Sequence, residues 1–218
     1  MWHIFPDILD AHLQKLTKGE TGIKFIEIGA NDGISWDPLF KFIKKYKWEG
    51  ILVEPHPTYY RELVENYKAI NPGKIHFENI AISDENGKKE LYYFSNINKS
   101  DQDYLFLKCL SSFNKGHLLK HCNDYPELEI KSVIVNCTTL NQLIEKYKFR
   151  AFDLLLIDAE GVDFEIIQSI DFELIKPRII FFEHFHFNSD MKKQIDQLLK
   201  KHLYKMIEDR LNTIAFQS

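Results

Sequence analysis

The chain has 218 residues and a formal net charge of -4, which fits one domain able to bury about 70% of its unfolded surface. The weakly acidic balance argues against a dedicated nucleic-acid binder, because such domains are usually basic. The three cysteines, Cys109, Cys122 and Cys137, have no C-x-x-C spacing, so they indicate neither a disulfide framework nor a zinc site and favour a reducing compartment.

The N-terminal segment shows no pattern of a targeting signal. It carries acids where a signal peptide would carry positive charge, and no apolar run in the chain is long enough to cross a membrane. We therefore expect a cytoplasmic protein with no membrane partner. Leu9, Leu13 and Leu16 share one helical stripe, which predicts an amphipathic helix within residues 1–20.

Apolar strands and amphipathic helices alternate through the first part of the chain. The pattern predicts strands at 23–28, 51–54 and 74–83, with helices at 38–47 and 57–68 between them. Such alternation is typical of parallel strands in one sheet, with helices on both faces.

The middle of the chain departs from this alternation. Residues 88–94 and 129–138 are predicted to form an added pair of strands. The polar stretch 95–128 between them contains Ser111, Ser112 and His117. We interpret it as an inserted loop on the substrate side, because connections of this length are usually functional or disordered.

The alternating pattern resumes after this stretch. It predicts helices at 140–147, from about 163, and at 190–201, and strands at 152–157 and 178–183. The last two segments, 204–208 and 213–216, flank a turn and predict an antiparallel hairpin that adds to the sheet.

The segment from Glu27 to Gly33 has the pattern E-x-G-x-N-x-G and begins within the first predicted strand. Gly29 and Gly33 can take backbone conformations that other residues resist, and Asn31 tolerates a left-handed backbone. The pattern is not the G-x-G-x-x-G of a pyrophosphate binder. It therefore favours a ligand that contains adenosine without a diphosphate, such as S-adenosylmethionine.

A second acid, Glu54, ends the next predicted strand. In nucleotide-binding α/β folds a carboxylate at this place accepts hydrogen bonds from the ribose hydroxyls. Because ligands of open α/β sheets bind outside the carboxyl ends of the strands, the polar residues that end strands should converge on one crevice. These residues are Asp32, Glu54, Asp158, Glu160, Glu183, His184 and His186.

The chain resembles the FkbM family of S-adenosylmethionine-dependent methyltransferases. The resemblance runs from about residue 24 to the C-terminal hairpin and depends on several motifs in a fixed order rather than on any one of them. They are Glu27 to Gly33, Val53-Glu54-Pro55-His56-Pro57, Asn79 to Asp84, Ser111-Ser112, Thr139-Leu140 and Leu156 to Gly161.

This resemblance implies an α/β fold of the Rossmann-like class I methyltransferase type. Its sheet would have seven mostly parallel strands, a C-terminal antiparallel hairpin and helices on both faces, in a single domain spanning residues 1–218. The implied cofactor is S-adenosylmethionine. The implied cofactor-binding residues are Glu27, Gly29, Ala30, Asn31, Asp32, Gly33, Glu54, Pro55, Asn79, Ala81, Ile82 and Asp158.

The resemblance also implies roles within this set. Glu54 would bind the ribose, the backbone from Gly29 to Gly33 would pass beside the methionine part, and the segment from Asn79 to Ile82 would flank adenine. Asp158 and Glu160 would lie near the amino group of the donor and near the acceptor.

An alcohol acceptor loses a proton during methylation, so a general base would assist the reaction. The predicted catalytic residues are His184 and His186, followed by Glu160 and Asp158, because imidazole titrates near neutral pH. Packing of the two histidines among neighbouring phenylalanines is the alternative. The same acids and histidines could also hold a divalent metal, although their spacing alone assigns no metal ligand.

The predicted function is methylation of a hydroxyl on a sugar or another small metabolite, with no nucleic-acid partner. One alternative is an NAD-dependent Rossmann oxidoreductase, which the missing G-x-G-x-x-G pattern argues against. The other is a binding module that keeps the fold without turnover. The sequence leaves open whether the protein forms a homo-oligomer.

Overall fold

The structure is a computed structural model that describes residues 6–17, 22–70, 74–97, 104–122, 125 and 127–217. Its helices are α1 Pro6–Thr17, α2 Phe40–Tyr46, α3 Pro57–Lys68, α4 Tyr104–Cys109, α5 Lys115–Leu119, α6 Leu140–Tyr147, α7 Asp163–Gln168 and α8 Ser189–Lys201. Its strands are β1 Lys24–Ile28, β2 Glu49–Val53, β3 Ile75–Glu78, β4 Ala81–Ile82, β5 Gly87–Ser95, β6 Ser111–Ser112, β7 Glu129–Thr138, β8 Leu154–Ile157, β9 Ile179–Glu183, β10 Lys205–Glu208 and β11 Asn212–Phe216.

Seven strands form the main sheet, in the order β10-β11-β9-β8-β1-β2-β3. The strands from β9 to β3 in this order pair in parallel, whereas β11 is antiparallel to both β9 and β10. This confirms the predicted sheet and its C-terminal hairpin. The strand order reverses between β1 and β8, and ligands of open α/β sheets bind at such a switch point.

Both faces of this sheet are buried under helices. Alternate strand residues point to opposite faces. Ile26 and Leu155 therefore pack in the cluster formed with α6, α7 and α8, whereas Phe25 and Leu154 pack in the cluster formed with α1, α2 and α3. Burial on both faces explains why the central strands are continuous apolar runs rather than alternating ones.

The prediction of one strand over residues 74–83 is wrong. The structure divides this segment into β3, which belongs to the main sheet, and β4, which belongs to a second sheet of order β4-β7-β5-β6. The break includes Asn79, whose side-chain amide donates to the carbonyl oxygens of Glu54 and Pro55 at 2.9 and 3.0 Å. These bonds hold the chain against the segment that follows β2.

The second sheet contains the predicted pair of added strands. β5 and β7 run antiparallel, from Gly87 opposite Cys137 to Ser95 opposite Glu129. The stretch between them is not an irregular loop in its described part, because it contains α4, β6 and α5. An apolar cluster that includes Leu107 supports these elements.

Two helix starts agree with the sequence signals. α3 begins at Pro57, and α6 is capped by Thr139, whose hydroxyl accepts from the backbone N–H of Gln142 at 3.3 Å. The predicted N-terminal helix corresponds to α1, and the other residues of 1–20 lie outside the described part. Among the described helices, none combines the length and the hydrophobicity needed to cross a bilayer.

Candidate functional site

A cleft opens at the carboxyl ends of the parallel strands, over the switch point between β1 and β8. It contains about 1010 Å³ of free space, a volume that includes its open mouth, and this suits a ligand of nucleoside size or larger. Most of the predicted cofactor residues line it, namely Glu27, Gly29, Ala30, Asn31, Glu54, Pro55, Ala81, Ile82 and Asp158. Glu160 lines it as well.

The turn after β1 brings backbone to the floor of the cleft. The N–H groups of Gly29 and Ala30 both donate to the carbonyl oxygen of Val53, at 2.9 and 3.0 Å. Gly29 has φ +88°, and a Cβ atom there would lie 1.9 Å from the backbone oxygen of Asp158. The absence of a side chain is therefore what lets the ends of β1 and β8 approach each other.

Glu54 is buried at the end of β2 and faces this turn. One carboxylate oxygen accepts from the backbone N–H of Asn31 at 2.9 Å, and the other accepts from that of His56 at 2.7 Å. Burial raises the pKa of Glu54 to about 7, against the lowering effect of these two hydrogen bonds. Each oxygen has a second lone pair, so the carboxylate can still accept two hydroxyls.

Glu27, which is buried, and Asp37, which is half-buried, form a pair of carboxyl groups in the wall of the cleft. Burial, then the charges of Asp37 and Asp158, raise the pKa of Glu27 well above its usual range, and its Oε2 has no hydrogen-bond partner within the described residues. Burial also raises the pKa of Asp37 to about 7. A cation would offset the repulsion between these carboxyl groups, so this wall suits a positively charged ligand group.

Asp37 was missed by the sequence reasoning. It lies four residues after Gly33, in the chain between the glycine turn and α2, and its carboxylate accepts from the backbone N–H groups of Leu39 and Phe40 at 2.6 and 3.0 Å. An aspartate that precedes a helix is usually only a cap. The sequence therefore gave no signal that it also lines the cleft beside Glu27.

Four more acids cluster where β8 and β9 end. Burial raises the pKa of Asp158 to about 6, and burial with the neighbouring charges of Asp158 and Asp163 raises the pKa of Glu183 to about 9. The pKa values of Glu160 and Asp163 are raised well above their usual range, again first by burial. The predicted convergence of strand-end acids is therefore present on this side of the cleft.

The two predicted catalytic histidines have different surroundings. Nδ1 of His184 lies 2.8 Å from the hydroxyl oxygen of Thr213 on β11, and the buried ring is not part of the cleft lining. His186 instead lies against the ring of His117, with centroids 4.2 Å apart, and its Nε2 is 3.6 Å from the carboxylate of Glu183. The structure thus brings His186, but not His184, to the acidic cluster.

Two other predicted cofactor residues lie behind the cleft wall. The carboxylate of Asp32 accepts from the buried ammonium group of Lys108 at 2.6 Å and from the hydroxyl of Ser35 at 2.7 Å. Burial alone would raise the pKa of Asp32, but these hydrogen bonds outweigh it and hold the pKa below its usual range. Asp32 and Asn79 are not part of the lining, and the contacts of both hold neighbouring backbone in place.

Gly33 is also outside the lining. It has φ +71°, and a Cβ atom there would lie 2.3 Å from a methyl group of Leu63 and 2.6 Å from the ring of Tyr67. Its role in the structure is therefore the close packing of the turn on α3.

Comparison with protein families identifies one match over most of the chain. Residues 27–206 match the model described as the methyltransferase FkbM domain. No sequence among the curated proteins matches the chain.

Solved structures share the fold. The crystal structure of methyltransferase FkbM from Methylobacillus flagellatus has 13% sequence identity and a TM-score of 0.53, with 90% of this chain and 44% of that one covered. This chain thus spans less than half of that relative. The N-terminal domain of human METTL16 has 11% identity, a TM-score of 0.53 and coverages of 96% and 68%.

A second structure of the METTL16 N-terminal domain is described as a complex with SAH. It has 11% identity and a TM-score of 0.50, and 96% of this chain and 68% of that one are covered. At such low identities the likeness concerns the fold, which is the Rossmann-like class I methyltransferase fold.

Proposed function

The chain belongs to the FkbM methyltransferase family, and from that premise we propose that it transfers a methyl group from S-adenosylmethionine to a hydroxyl oxygen of a sugar or another small metabolite. The observation that carries this proposal is the position of Glu54. Its carboxylate is buried at the end of β2, is held by two backbone N–H groups and lines the cleft at the switch point.

The cleft offers a suitable surface to each part of the cofactor. Glu54 would accept the two ribose hydroxyls, and the apolar Ala81 and Ile82 would contact the adenine ring. The carboxyl pair Glu27 and Asp37 would hold the ammonium group of the methionine part. S-adenosylmethionine also carries a positive sulfur, and the nearby charge of Asp158 favours a cation here.

The reaction then depends mainly on alignment. A lone pair of the acceptor oxygen forms a bond to the methyl carbon while the carbon–sulfur bond breaks, and its electron pair stays on the sulfur of S-adenosylhomocysteine. The hydroxyl proton goes to a general base. Holding the oxygen, carbon and sulfur in line supplies most of the rate enhancement in such a step.

The general base belongs to the acidic side of the cleft. Asp158 and Glu160 line the cleft, and His186 lies in the adjoining cluster, whereas His184 is engaged by Thr213. We therefore assign proton removal to the group formed by Asp158, Glu160 and His186. His184 has a structural role between β9 and β11 in this assignment.

Calorimetric titrations separate this proposal from its oxidoreductase alternative. We expect saturable binding of S-adenosylhomocysteine and no binding of NAD⁺ at the same concentrations. Binding of NAD⁺ alone would contradict the proposal, because the cleft would then accept a dinucleotide.

A transfer assay tests the reaction and the acceptor class. The protein is incubated with S-adenosylmethionine labelled in its methyl group and with separate panels of sugars, nucleotide sugars, hydroxylated metabolites and RNA oligonucleotides. We expect label in a sugar or metabolite panel. Label only in RNA would overturn the acceptor assignment, and tight cofactor binding without transfer to any panel would favour a non-catalytic module.

A further inference from the structure

Three side chains from separate parts of the chain meet beside the cleft. His117 comes from α5 of the inserted stretch, Glu160 follows β8, and His186 follows β9. One potential ligand atom from each lies within 4.8 Å of the other two. We propose that the His117–Glu160–His186 cluster binds a divalent ion of the first transition row, with Zn²⁺ as the best fit.

The donor set is the reason for this choice of ion. Two imidazole nitrogens and one carboxylate oxygen suit Zn²⁺ and its neighbours, whereas Mg²⁺ and Ca²⁺ prefer oxygen ligands alone. Ligands held at about 2.1 Å in a tetrahedral zinc site lie roughly 3.4 Å apart. The observed spread of up to 4.8 Å therefore needs only a small contraction of side chains around the ion.

Hydrogen bonds already hold two of these residues against each other. The hydroxyl of Ser112 donates to the backbone oxygen of Glu160 at 2.8 Å and accepts from the N–H of Asn114 at 3.2 Å. The side chain of Asn114 in turn caps α5, since it accepts from the N–H of Gly116 at 2.9 Å. This chain of contacts fixes the helix that carries His117 beside Glu160.

The backbone at Glu160 is itself unusual. Its φ of +48° is left-handed, a conformation that residues other than glycine, asparagine and aspartate rarely adopt. Strain of this kind is kept where the surrounding structure over-determines the position of a functional side chain.

Glu183 supplies the outer partner that metal-binding histidines usually have. Its Oε2 lies 3.6 Å from Nε2 of His186 and has no hydrogen-bond partner within the described residues. In carboxylate–histidine–metal arrangements, one ring nitrogen donates to a carboxylate while the other binds the ion. Glu183 can orient His186 in this way.

A bound ion would act directly on the acceptor, and this consequence rests on the proposed function. Three protein ligands leave at least one coordination position open. An acceptor hydroxyl in that position would have a lowered pKa and a fixed orientation. With Glu160 and His186 engaged as ligands, Asp158 would be the member of the assigned group that takes its proton. Because Glu160 also lines the cleft, that hydroxyl would lie next to the methyl donor.

Metal titration of the full chain tests the site without any assay of turnover. The protein is produced without a polyhistidine tag, stripped with a chelator and titrated with Co²⁺, whose visible absorption reports its coordination. We expect one equivalent of Co²⁺ to bind and to be displaced by Zn²⁺. We expect His117→Ala and His186→Ala each to lower the affinity by at least about 100-fold, with circular dichroism showing that both variants fold.

Two further variants serve as a control for the site and as a test of the outer carboxylate. His76→Gln changes an exposed histidine on β3 and should bind Co²⁺ like the unaltered chain. Glu183→Gln should weaken binding about 10-fold to 100-fold, the usual effect of changing an outer-sphere partner.

Absence of saturable Co²⁺ binding by the unaltered chain would overturn the proposed site. So would a Co²⁺ affinity of His117→Ala and His186→Ala equal to that of the unaltered chain. Binding of S-adenosylhomocysteine is measured separately on the stripped protein. A lack of Co²⁺ binding therefore does not contradict the cofactor proposal, and a lack of S-adenosylhomocysteine binding does not contradict the metal site.

Discussion

The two sides of the cleft are built in different ways. The cofactor side consists of the glycine turn after β1 and Glu54 after β2, two neighbouring strands whose ends are joined by backbone hydrogen bonds from Gly29 and Ala30 to Val53. The proposed acceptor side brings together His117 from an inserted helix with Glu160 and His186, which follow two neighbouring strands of the main sheet. Side-chain contacts such as that of Ser112 hold it in place.

The fold itself requires the contacts of the cofactor side, whereas it leaves those of the acceptor side free to vary. Backbone bonds between adjacent strands form wherever the strands pair, so the cofactor side follows from the sheet itself. The acceptor side depends on individual side chains of an inserted stretch, and such stretches vary without disturbing the scaffold. We therefore expect changes on the cofactor side to affect folding and cofactor binding, and changes on the acceptor side to affect turnover first.

The largest expected effect is on folding, at the point where β1 and β8 meet. Gly29→Ala would place a methyl group 1.9 Å from the backbone oxygen of Asp158, and backbone cannot move aside as a side chain can. We expect a loss of about 4 kcal/mol or more in the free energy of unfolding, the range of severe single substitutions, measured by urea denaturation.

Gly22→Ala is the matched control for this change. Gly22 also has a positive φ, +101°, but a Cβ atom there would meet nothing within 4 Å. Only backbone strain of about 1–2 kcal/mol applies. Equal destabilisation by the two substitutions would contradict the close approach of the two strand ends.

The second effect is on cofactor affinity. Glu54→Ala removes the group that we propose accepts two ribose hydroxyls, and hydrogen bonds to a charged group contribute about 1.5–3 kcal/mol each. We expect the affinity for S-adenosylhomocysteine to fall by roughly 100-fold or more, which corresponds to about 3 kcal/mol. Calorimetry on a variant shown to be folded measures this.

Glu78→Ala offers a comparison at the end of the next strand. Glu78 is also buried, but its carboxylate accepts from the hydroxyl of Tyr147 and pairs with Lys146, away from the cleft lining. The affinity of the Glu78→Ala variant for S-adenosylhomocysteine should stay near that of the unaltered chain. The ribose assignment fails if Glu54→Ala binds as tightly as Glu78→Ala.

A smaller effect is expected on the acceptor side. Ser112→Ala removes the bond to the backbone oxygen of Glu160 and leaves that buried acceptor unpaired, which typically costs about 1–3 kcal/mol. We expect turnover to fall while the affinity for S-adenosylhomocysteine stays within about threefold.

Ser132→Ala is the control, because its hydroxyl bonds to Glu90 at the surface and should contribute little. If Ser112→Ala weakens cofactor binding more than it lowers turnover, the two sides of the cleft are not separable in the way described.

The smallest effect concerns pH. Burial raises the pKa of Glu54 to about 7, so the free protein holds a proton there below pH 7, and accepting both ribose hydroxyls requires its release. The affinity for S-adenosylhomocysteine should therefore rise with pH, by at most about tenfold per unit below 7, and level off above it.

Asp37, with a pKa raised to about 7, adds to this dependence in the same direction when it meets an ammonium group. Calorimetry between pH 5.5 and 8, taken as roughly one unit or more on either side of these pKa values, measures the profile. Glu54→Ala should make the profile less steep and leave the contribution of Asp37. Parallel profiles for the two proteins would remove Glu54 as a source of the dependence.

Sequence reasoning predicted that the glycine turn and the acid after β2 would meet at one cleft, for a physical reason. Glycines with positive φ and acids after apolar strands are local signals, and parallel pairing brings them together without further information. Glu27, Gly29 and Glu54 therefore came out of the sequence in positions that line one cleft. The division into β3 and β4 was not predicted from the sequence, because the break at Asn79 depends on hydrogen bonds to residues some 25 positions earlier.

The same reasoning named Glu160 and His186 but did not place His117 beside them. Nothing local in the sequence joins His117 to His186, which meet only because an inserted helix packs against the end of the main sheet. The same holds for Lys108, whose buried ion pair with Asp32 withdraws a predicted cofactor ligand into the scaffold. Contacts of this kind depend on tertiary packing, and a single sequence does not contain a pattern for them.

The most direct test of the central claim is a crystal structure of the chain with S-adenosylhomocysteine. The account predicts both ribose hydroxyls within hydrogen-bond distance of the Glu54 carboxylate, the amino group beside Glu27 and Asp37, and the sulfur facing Asp158 and Glu160. A nucleoside bound elsewhere, or bound in the cleft with its ribose away from Glu54, would contradict it.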